Sequence, residues 1–302
     1  MNVRLALVGL IGFFWGGFAT PFSIRLSHAF NIIDKPEGRK IHAAPTPRGA
    51  GIVLWSGYLL WSLYSVDKAG ASALFIRCAA LSATMVFLCG YMDDMRGLNP
   101  FIRLALHAAS AFIVVAPLRM PLIPAVLSIG WIAGTTSAYN LIDGVNGLCS
   151  SIFIASSLTL YALFGDAFGI VGAAMTLGVL CWNFPSARTF LGDGGSTLLG
   201  FLFSSYFISL ASFVIVKIWP HEIILLFLLL GGVPVLDTLF AFTRRTLAGK
   251  SPFYPDRGHL HHILLDKTGS PFWTVTCLLT LHGALLAAGA AALMKLRTAG
   301  VF

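Results

Sequence analysis

Residues 190–216 open with Phe190-Leu191-Gly192-Asp193-Gly194-Gly195-Ser196 and run on as STLLGFLFSSYFISLASFVIV over 196–216, with no charged side chain after Asp193. About 20 apolar residues, rising 1.5 Å each as a helix, cross the hydrocarbon layer of a bilayer. The stretch therefore predicts a membrane-spanning helix with a glycine-rich turn and one carboxylate at its mouth. Working outward from it, nine more runs of this kind can be placed. The expected spans are 4–24, 49–66, 71–91, 100–117, 122–141, 148–165, 167–184, 196–216, 221–243 and 272–293.

Composition agrees with that reading. Of 302 residues, 57% are hydrophobic and only 11% are charged, where a soluble domain carries about 25% charged. An ordinary water-soluble enzyme is excluded, and 24 Phe, 7 Trp and 7 Tyr exclude a disordered chain. The fold class expected is all-α, a polytopic integral membrane protein of about ten transmembrane helices forming one domain over 1–302. The N-terminal run from Val3 continues past Pro21 without a small-residue cleavage site, so it reads as a retained first span. Cys78, Cys89, Cys149, Cys181 and Cys277 lie in apolar stretches at no metal or disulfide spacing, and read as small buried residues. Asn99-Pro100 reads as an N-cap with an N1 proline, and Asp193 or Ser196 as the cap of the eighth span.

The formal charge of +8 has a topological cause and is not taken as a sign of nucleic-acid binding. Loops 34–48, 93–99, 142–147, 185–195 and 244–270 fall on one side of the membrane and, with Arg103 at its border, carry twelve Lys and Arg, against six on the other side. The positive-inside rule makes the first side cytoplasmic. Nine of the twelve acids lie there or at its border.

Five segments on that side can carry chemistry, and each also has a bland reading. Asp93-Asp94 ends a largely apolar helix; an acid pair at the membrane border suits a metal, a cation or a proton acceptor, and equally a polar helix end. Asn140, Asp143 and Asn146, spaced three apart with Gly144 and Gly147, can aim oxygen ligands at a hard cation such as Mg²⁺, or simply form a capped turn. Around Asp193, the glycines would let backbone N–H groups approach a phosphate, provided a cation offsets the carboxylate. His259, His261 and His262 follow Arg257 in the longest loop. No Cys or Glu stands at zincin spacing, so a clamp for phosphate oxygens fits better than zinc. Asp34 to Gly49, with Lys40, His42 and Arg48, binds phosphate either on a substrate or on anionic lipid. Of the remaining histidines only His107 is held open, since with Arg103 it could hold a lipid phosphate near Asp93.

Taken in order, Asp34-Lys35-Pro36 with Arg39-Lys40-Ile41-His42, Asp93-Asp94, Asn140-Leu141-Ile142-Asp143-Gly144, Gly192-Asp193-Gly194-Gly195-Ser196 and Asp256-Arg257-Gly258-His259-Leu260-His261-His262 resemble the motifs of the polyprenyl-phosphate N-acetylhexosamine-1-phosphate transferases. Pro234-Val235-Leu236-Asp237-Thr238, Arg244-Arg245 and the Pro255-Asp256-Arg257 lead-in look like the WecA/TagO branch of the MraY-like superfamily. Asn146 stands where many members have Asp, and Arg103 and His107 where Lys and Gln are common.

The resemblance implies a UDP-N-acetylhexosamine donor, most often UDP-GlcNAc, an undecaprenyl-phosphate acceptor, and release of UMP on the cytoplasmic side of a bacterial inner membrane. It implies Mg²⁺, with Mn²⁺ as a substitute, on Asn140 and Asp193, and catalytic roles for Asp93 with Asp94 in support. Lys40, His42, Arg103, Asp143, Asn146, Arg257, His259, His261 and His262 would bind substrates. The lipid bilayer is a partner, and a homodimer is compatible with the family. The alternatives are transfer of UDP-MurNAc-pentapeptide, as in lipid I synthesis, and a transporter. Transporters bind near the bilayer midplane, whereas only Asp237 lies deep here.

Overall fold

The computed structural model describes residues 3–34, 45–254, 256 and 258–296. Lys40, His42 and Arg257 lie outside the described residues. The helices, in chain order, are α1 (Val3–Ala29), α2 (Ala50–Val66), α3 (Ala73–Arg96), α4 (Pro100–Val115), α5 (Leu122–Ile142), α6 (Leu148–Phe164), α7 (Ala167–Asn183), α8 (Gly192–Ile215), α9 (Pro220–Leu247), α10 (Leu260–Thr268) and α11 (Pro271–Leu296). Ten of these coincide with the expected spans; α10 is a nine-residue helix in the long loop. Among the described residues seven helical stretches are long and apolar enough to cross a membrane, α4 counting with the short turn that carries it on to Leu118, while α2, α6 and α7 have 17 residues each.

At the centre stands α8, 78% of whose span is buried, against α2, α3, α4, α5 and α6. The outermost helices, α1 and α11, bury only 22% and 28% of theirs. Their exposed Phe18, Phe22 and Phe272 face outward, where apolar surface is at no cost in lipid. Cys181 and Cys277 are likewise exposed, so only Cys89 and Cys149 fit the expectation of buried thiols, with Cys78 between.

Two short strands, β1 (Ile33–Asp34) and β2 (Thr46–Pro47), pair antiparallel. The Phe190 N–H donates to Pro47 O at 2.8 Å and Gly51 N–H to Leu191 O at 3.1 Å, so the α1–α2 loop is tied to the mouth of α8. Nothing in the sequence predicts this small sheet, whose strands are two residues each.

The α4 cap is as expected: Asn99 Oδ1 accepts from Phe101 N–H at 2.9 Å with Pro100 at N1. The α8 cap is not. Neither Asp193 nor Ser196 caps the helix, which begins at Gly192; the Ser196 hydroxyl is taken by Gly192 O and Asn140. The Gly194 N–H instead donates to Asp94 Oδ2 on α3, at 3.3 Å. That contact requires close approach, and Gly192 allows it: its φ is +70°, and a Cβ there would meet the Asp94 carboxylate.

Candidate active site

Because successive helices alternate in direction, the end of α3, the start of α4, the end of α5 and the start of α8 share one end of the bundle. The charged residues gather there. Arg103 of α4 forms an ion pair with Asp93 and a second, at 3.4 Å, with Asp193. Asp93 also accepts from the Leu98 N–H at 2.5 Å, which pins it across the α3–α4 turn. Arg48 links Asp34 at 2.7 Å and Asp94 at 3.2 Å. With its amide oriented to satisfy its neighbours, Asn140 donates to Asp193 Oδ1 at 3.2 Å and accepts from Arg103 at 3.2 Å. Asp93, Arg103, Asp193 and Asn140 thus form one continuous cluster, although they come from four helices and lie far apart in the sequence.

Two cavities open beside the cluster. The first, about 290 Å³, is lined by Asp34, Arg48, Asn140, Asp143, Asn146 and Asp193 among others. The second, about 430 Å³, runs from Arg103 past Leu104 and Ser137 to Phe242, Phe253 and the histidine loop. They share Asn140, Asp143, Gly144 and His262, so the 140–147 turn divides a polar chamber from a more apolar one. Asp143 stands at that divide. Burial, and then the Asp193 and Asp94 carboxylates, push its carboxyl well above the usual carboxylate range. Acids held together in this way gain from a cation between them.

The donor set fits a hard divalent ion. Asp193 and Asp143 offer carboxylate oxygens and Asn140 an amide oxygen that here accepts from Arg103, and Mg²⁺ is commonly held by one or two carboxylates plus water and substrate phosphate. Among the described residues no three His, Cys, Asp or Glu side chains form a ready-made cage.

Several residues are placed differently from the sequence expectation. His259 is expected to clamp phosphate, but both its ring nitrogens are engaged: Nδ1 with Asp237 Oδ2 at 2.7 Å and Nε2 with Arg245 at 3.0 Å. His261 is 1% exposed and lines the second cavity. Burial, reinforced by the neighbouring His262, lowers its pKa to about 3. It is neutral near pH 7. His262 lines both cavities. His107 is buried, 3.0 Å from Ser137 Oγ, and lines neither cavity. Asp93 and Asp94 stand behind Arg103 and Arg48 and do not line the cavities themselves. The α8 glycines serve helix packing: the Gly194 N–H already has its partner in Asp94, and a Cβ on Gly195 would strike Gly51 of α2.

Sequence reasoning missed Asn183 and Thr238. Asn183 accepts from the Gly147 N–H at 2.8 Å and donates to Thr189 O at 2.8 Å, joining two site loops at the wall of the polar chamber. An amide ending an apolar span, just before Phe184-Pro185, was the available signal. Thr238 lines the second cavity and offers no such signal.

Comparison with known proteins accords with this geometry. Residues 76–211 match the glycosyl transferase family 4 model. The undecaprenyl-phosphate alpha-N-acetylglucosaminyl 1-phosphate transferase of Thermotoga maritima is 32% identical over 247 residues, covering 79% of this chain and 74% of that protein. The probable undecaprenyl-phosphate N-acetylglucosaminyl 1-phosphate transferase of Bacillus subtilis is 28% identical over 87% of this chain and 78% of its own. The corresponding Escherichia coli K12 transferase is 26% identical over 88% and 77%. Four helices that deliver one acid-and-arginine cluster, and relatives that align across most of the chain, lead to one conclusion: this protein belongs to glycosyl transferase family 4, among the polyprenyl-phosphate N-acetylglucosaminyl 1-phosphate transferases.

Proposed function

We propose that the protein transfers GlcNAc-1-phosphate from UDP-GlcNAc to undecaprenyl phosphate, yielding undecaprenyl-diphosphate-GlcNAc and UMP, at the cytoplasmic face of a bacterial inner membrane. The observation that carries this reading is Asn140, shared by a polar chamber that Asp193 lines and a second, more apolar chamber that Arg103 lines. A nucleotide diphosphate suits the first and a phosphate on a lipid tail the second.

In this reading a phosphate oxygen of the acceptor attacks the β-phosphorus of the donor. The bond from that phosphorus to the bridging oxygen breaks, and UMP departs with the electron pair. Two anions must meet, so charge compensation is the main task. Asp193 and Asn140, with Asp143 nearby, would hold Mg²⁺, which when bound neutralises the diphosphate. Arg103 faces the apolar chamber and brings positive charge to the acceptor phosphate; Asp93 holds Arg103 in place and stands ready to orient that phosphate or accept its proton. Little base strength is required, because the second pKa of a phosphomonoester is about 6. His261 contributes a neutral imidazole to the second chamber and His262 lines both, while Asp143 and Asn146 line the donor side.

The test is UMP release by purified protein given undecaprenyl phosphate, Mg²⁺ and a panel of UDP-sugars. Turnover with UDP-GlcNAc is expected. A blank across the panel would overturn the reading, and a preference for UDP-MurNAc-pentapeptide would move the protein to lipid I synthesis.

A further inference from the structure

One buried acid has no part in the scheme above. Asp237 lies in α9, 3% exposed, and lines neither cavity. Both of its oxygens are used. Oδ2 is 2.7 Å from His259 Nδ1, and Oδ1 accepts the Leu260 N–H at 2.9 Å, in the first turn of α10. On the far side of the same imidazole, Arg245 stands 3.0 Å from Nε2. Arginine has donors only, so Nε2 is the acceptor, and the ring proton sits on Nδ1 pointing at Asp237.

From there the network continues into the loop. Arg245, 4% exposed, donates to Asp256 at 3.0 and 3.2 Å and to Pro252 O at 2.6 Å. Arg244 grips Asp256 with two contacts of 2.9 Å and donates to Gly258 O at 2.6 Å. Hydrogen bonds from Arg245 foremost, then Arg244, hold the Asp256 carboxyl well below the usual carboxylate range. Arg245, Asp256 and His259 line the second cavity, and the network extends to the wall it shares with the first. The His261 ring stacks on His259 with centroids 5.6 Å apart, and it sits where a Cβ on Gly144 would be, hard against the 140–147 turn. Any shift of α10 moves His261 relative to Asn140 and Asp143.

We infer that Asp237 is a positioning residue for sugar-1-phosphate transfer: through His259 and the Leu260 amide it seats α10, and so sets His261 against the 140–147 turn. Asparagine cannot replace it. In Asp237→Asn the side-chain amide has one acceptor atom where two donors converge. If its nitrogen faces Leu260, two N–H groups oppose each other. If it faces His259, the ring proton must move to Nε2, against Arg245. Either arrangement leaves a buried donor unpaired.

The proposal rests on the transfer reading, and the experiment separates the two. KM and kcat for UDP-GlcNAc are measured for the wild type, Asp237→Asn, His261→Ala and the double variant, alongside hydrogen–deuterium exchange over 258–268. Expected is a KM raised about 10- to 100-fold in each single variant, as for partners that orient a binding group, and a double variant no worse than His261→Ala alone. Exchange at Leu260 and along α10 should be slow in the wild type and fast in Asp237→Asn. A merely structural role would lower Vmax with the folded fraction and leave KM unchanged; that result, additive losses, or unaltered exchange would overturn the proposal. Should Asp237→Asn fail to fold, His259→Gln keeps a donor for Asp237 and an acceptor for Arg245. Its KM is then expected nearer the wild type than that of His259→Leu, and equal KM values in the two would count against the inference. If the wild type releases no UMP, the transfer reading fails, and the exchange comparison alone decides the role of Asp237.

Discussion

Arg103 is the residue on which the site turns, since it pairs with Asp93 and with Asp193 and lines the second cavity. Removing the charge of Asp93 loosens Arg103 and takes away the nearest proton acceptor. Asp93→Asn is therefore expected to slow UMP release about 10²-fold or more, the range for general acid–base groups, with donor KM little changed; a rate within about twofold of wild type would remove Asp93 from the reaction. His261 makes a pH prediction. Its folded pKa is lowered from 6.5 to about 3, so above pH 6.5 both folded and unfolded forms are neutral and stability is fully present. As pH falls from 6.5 toward 3, the unfolded chain takes up a proton that the folded one refuses, and stability is lost. Thermal midpoints of detergent-solubilised protein across that window should fall less in His261→Gln than in the wild type. Equal slopes would place the titration elsewhere.

The same scale shows what the sequence reveals about a site and what it does not. Asp93, Asn140 and Asp193 stand out because polar groups at the border of an apolar span are expensive and rarely idle. The fate of His259 is not legible, because it depends on Asp237 and Arg245, which reach it only through the fold. Three clustered histidines look equivalent on paper. In the structure all three line the second cavity, but both ring nitrogens of His259 are held by protein partners, His261 is set against Gly144, and His262 alone lines both cavities.

Among the elements, α9 departs most from its sequence expectation. A run at 221–243 is long enough to cross, so it reads as one unbroken helix, but Gly232 adopts φ 60° and ψ −145° and breaks it. The signal was Gly231-Gly232-Val233-Pro234: a residue free to take positive φ, close to one that cannot donate. His282 of α11 fills the gap. Its Nδ1 accepts the freed Val233 N–H at 3.3 Å and its Nε2 lies 2.9 Å from Ser156 Oγ, so the break is satisfied inside the membrane. Gly232→Ala forces a Cβ into that ring and a side chain into left-handed backbone; a loss of about 1–3 kcal/mol, read as a lower thermal midpoint, is expected. His282→Leu orphans the Val233 N–H and should cost a similar 1–3 kcal/mol, roughly. Unchanged midpoints in both would mean the break is indifferent to its partner. The other spans were legible because about 20 apolar residues have few other uses; α10 was not, being nine residues in a charged loop.

At the scale of the whole molecule, chemistry is confined to one end of the bundle. Lipid-facing α1 and α11 contribute packing, while α3, α4, α5, α8 and α9 bring their polar ends together around the most buried helix. The short β1–β2 pair and Arg48 tie the α1–α2 loop to that end through Asp34 and Asp94. Folding thus assembles from distant loops what no single segment holds: a set of oxygen donors and two adjoining chambers, which in the proposed reading take a cation and two phosphorylated molecules.

The most direct measurement of that arrangement is the rate of UMP release from UDP-GlcNAc and undecaprenyl phosphate as a function of Mg²⁺ concentration, in wild type and in Asp193→Asn of matched thermal stability. The wild type should show saturable dependence on Mg²⁺, and Asp193→Asn should show no Mg²⁺-dependent turnover. An Asp193→Asn protein with the Mg²⁺ requirement and rate of the wild type would contradict the account.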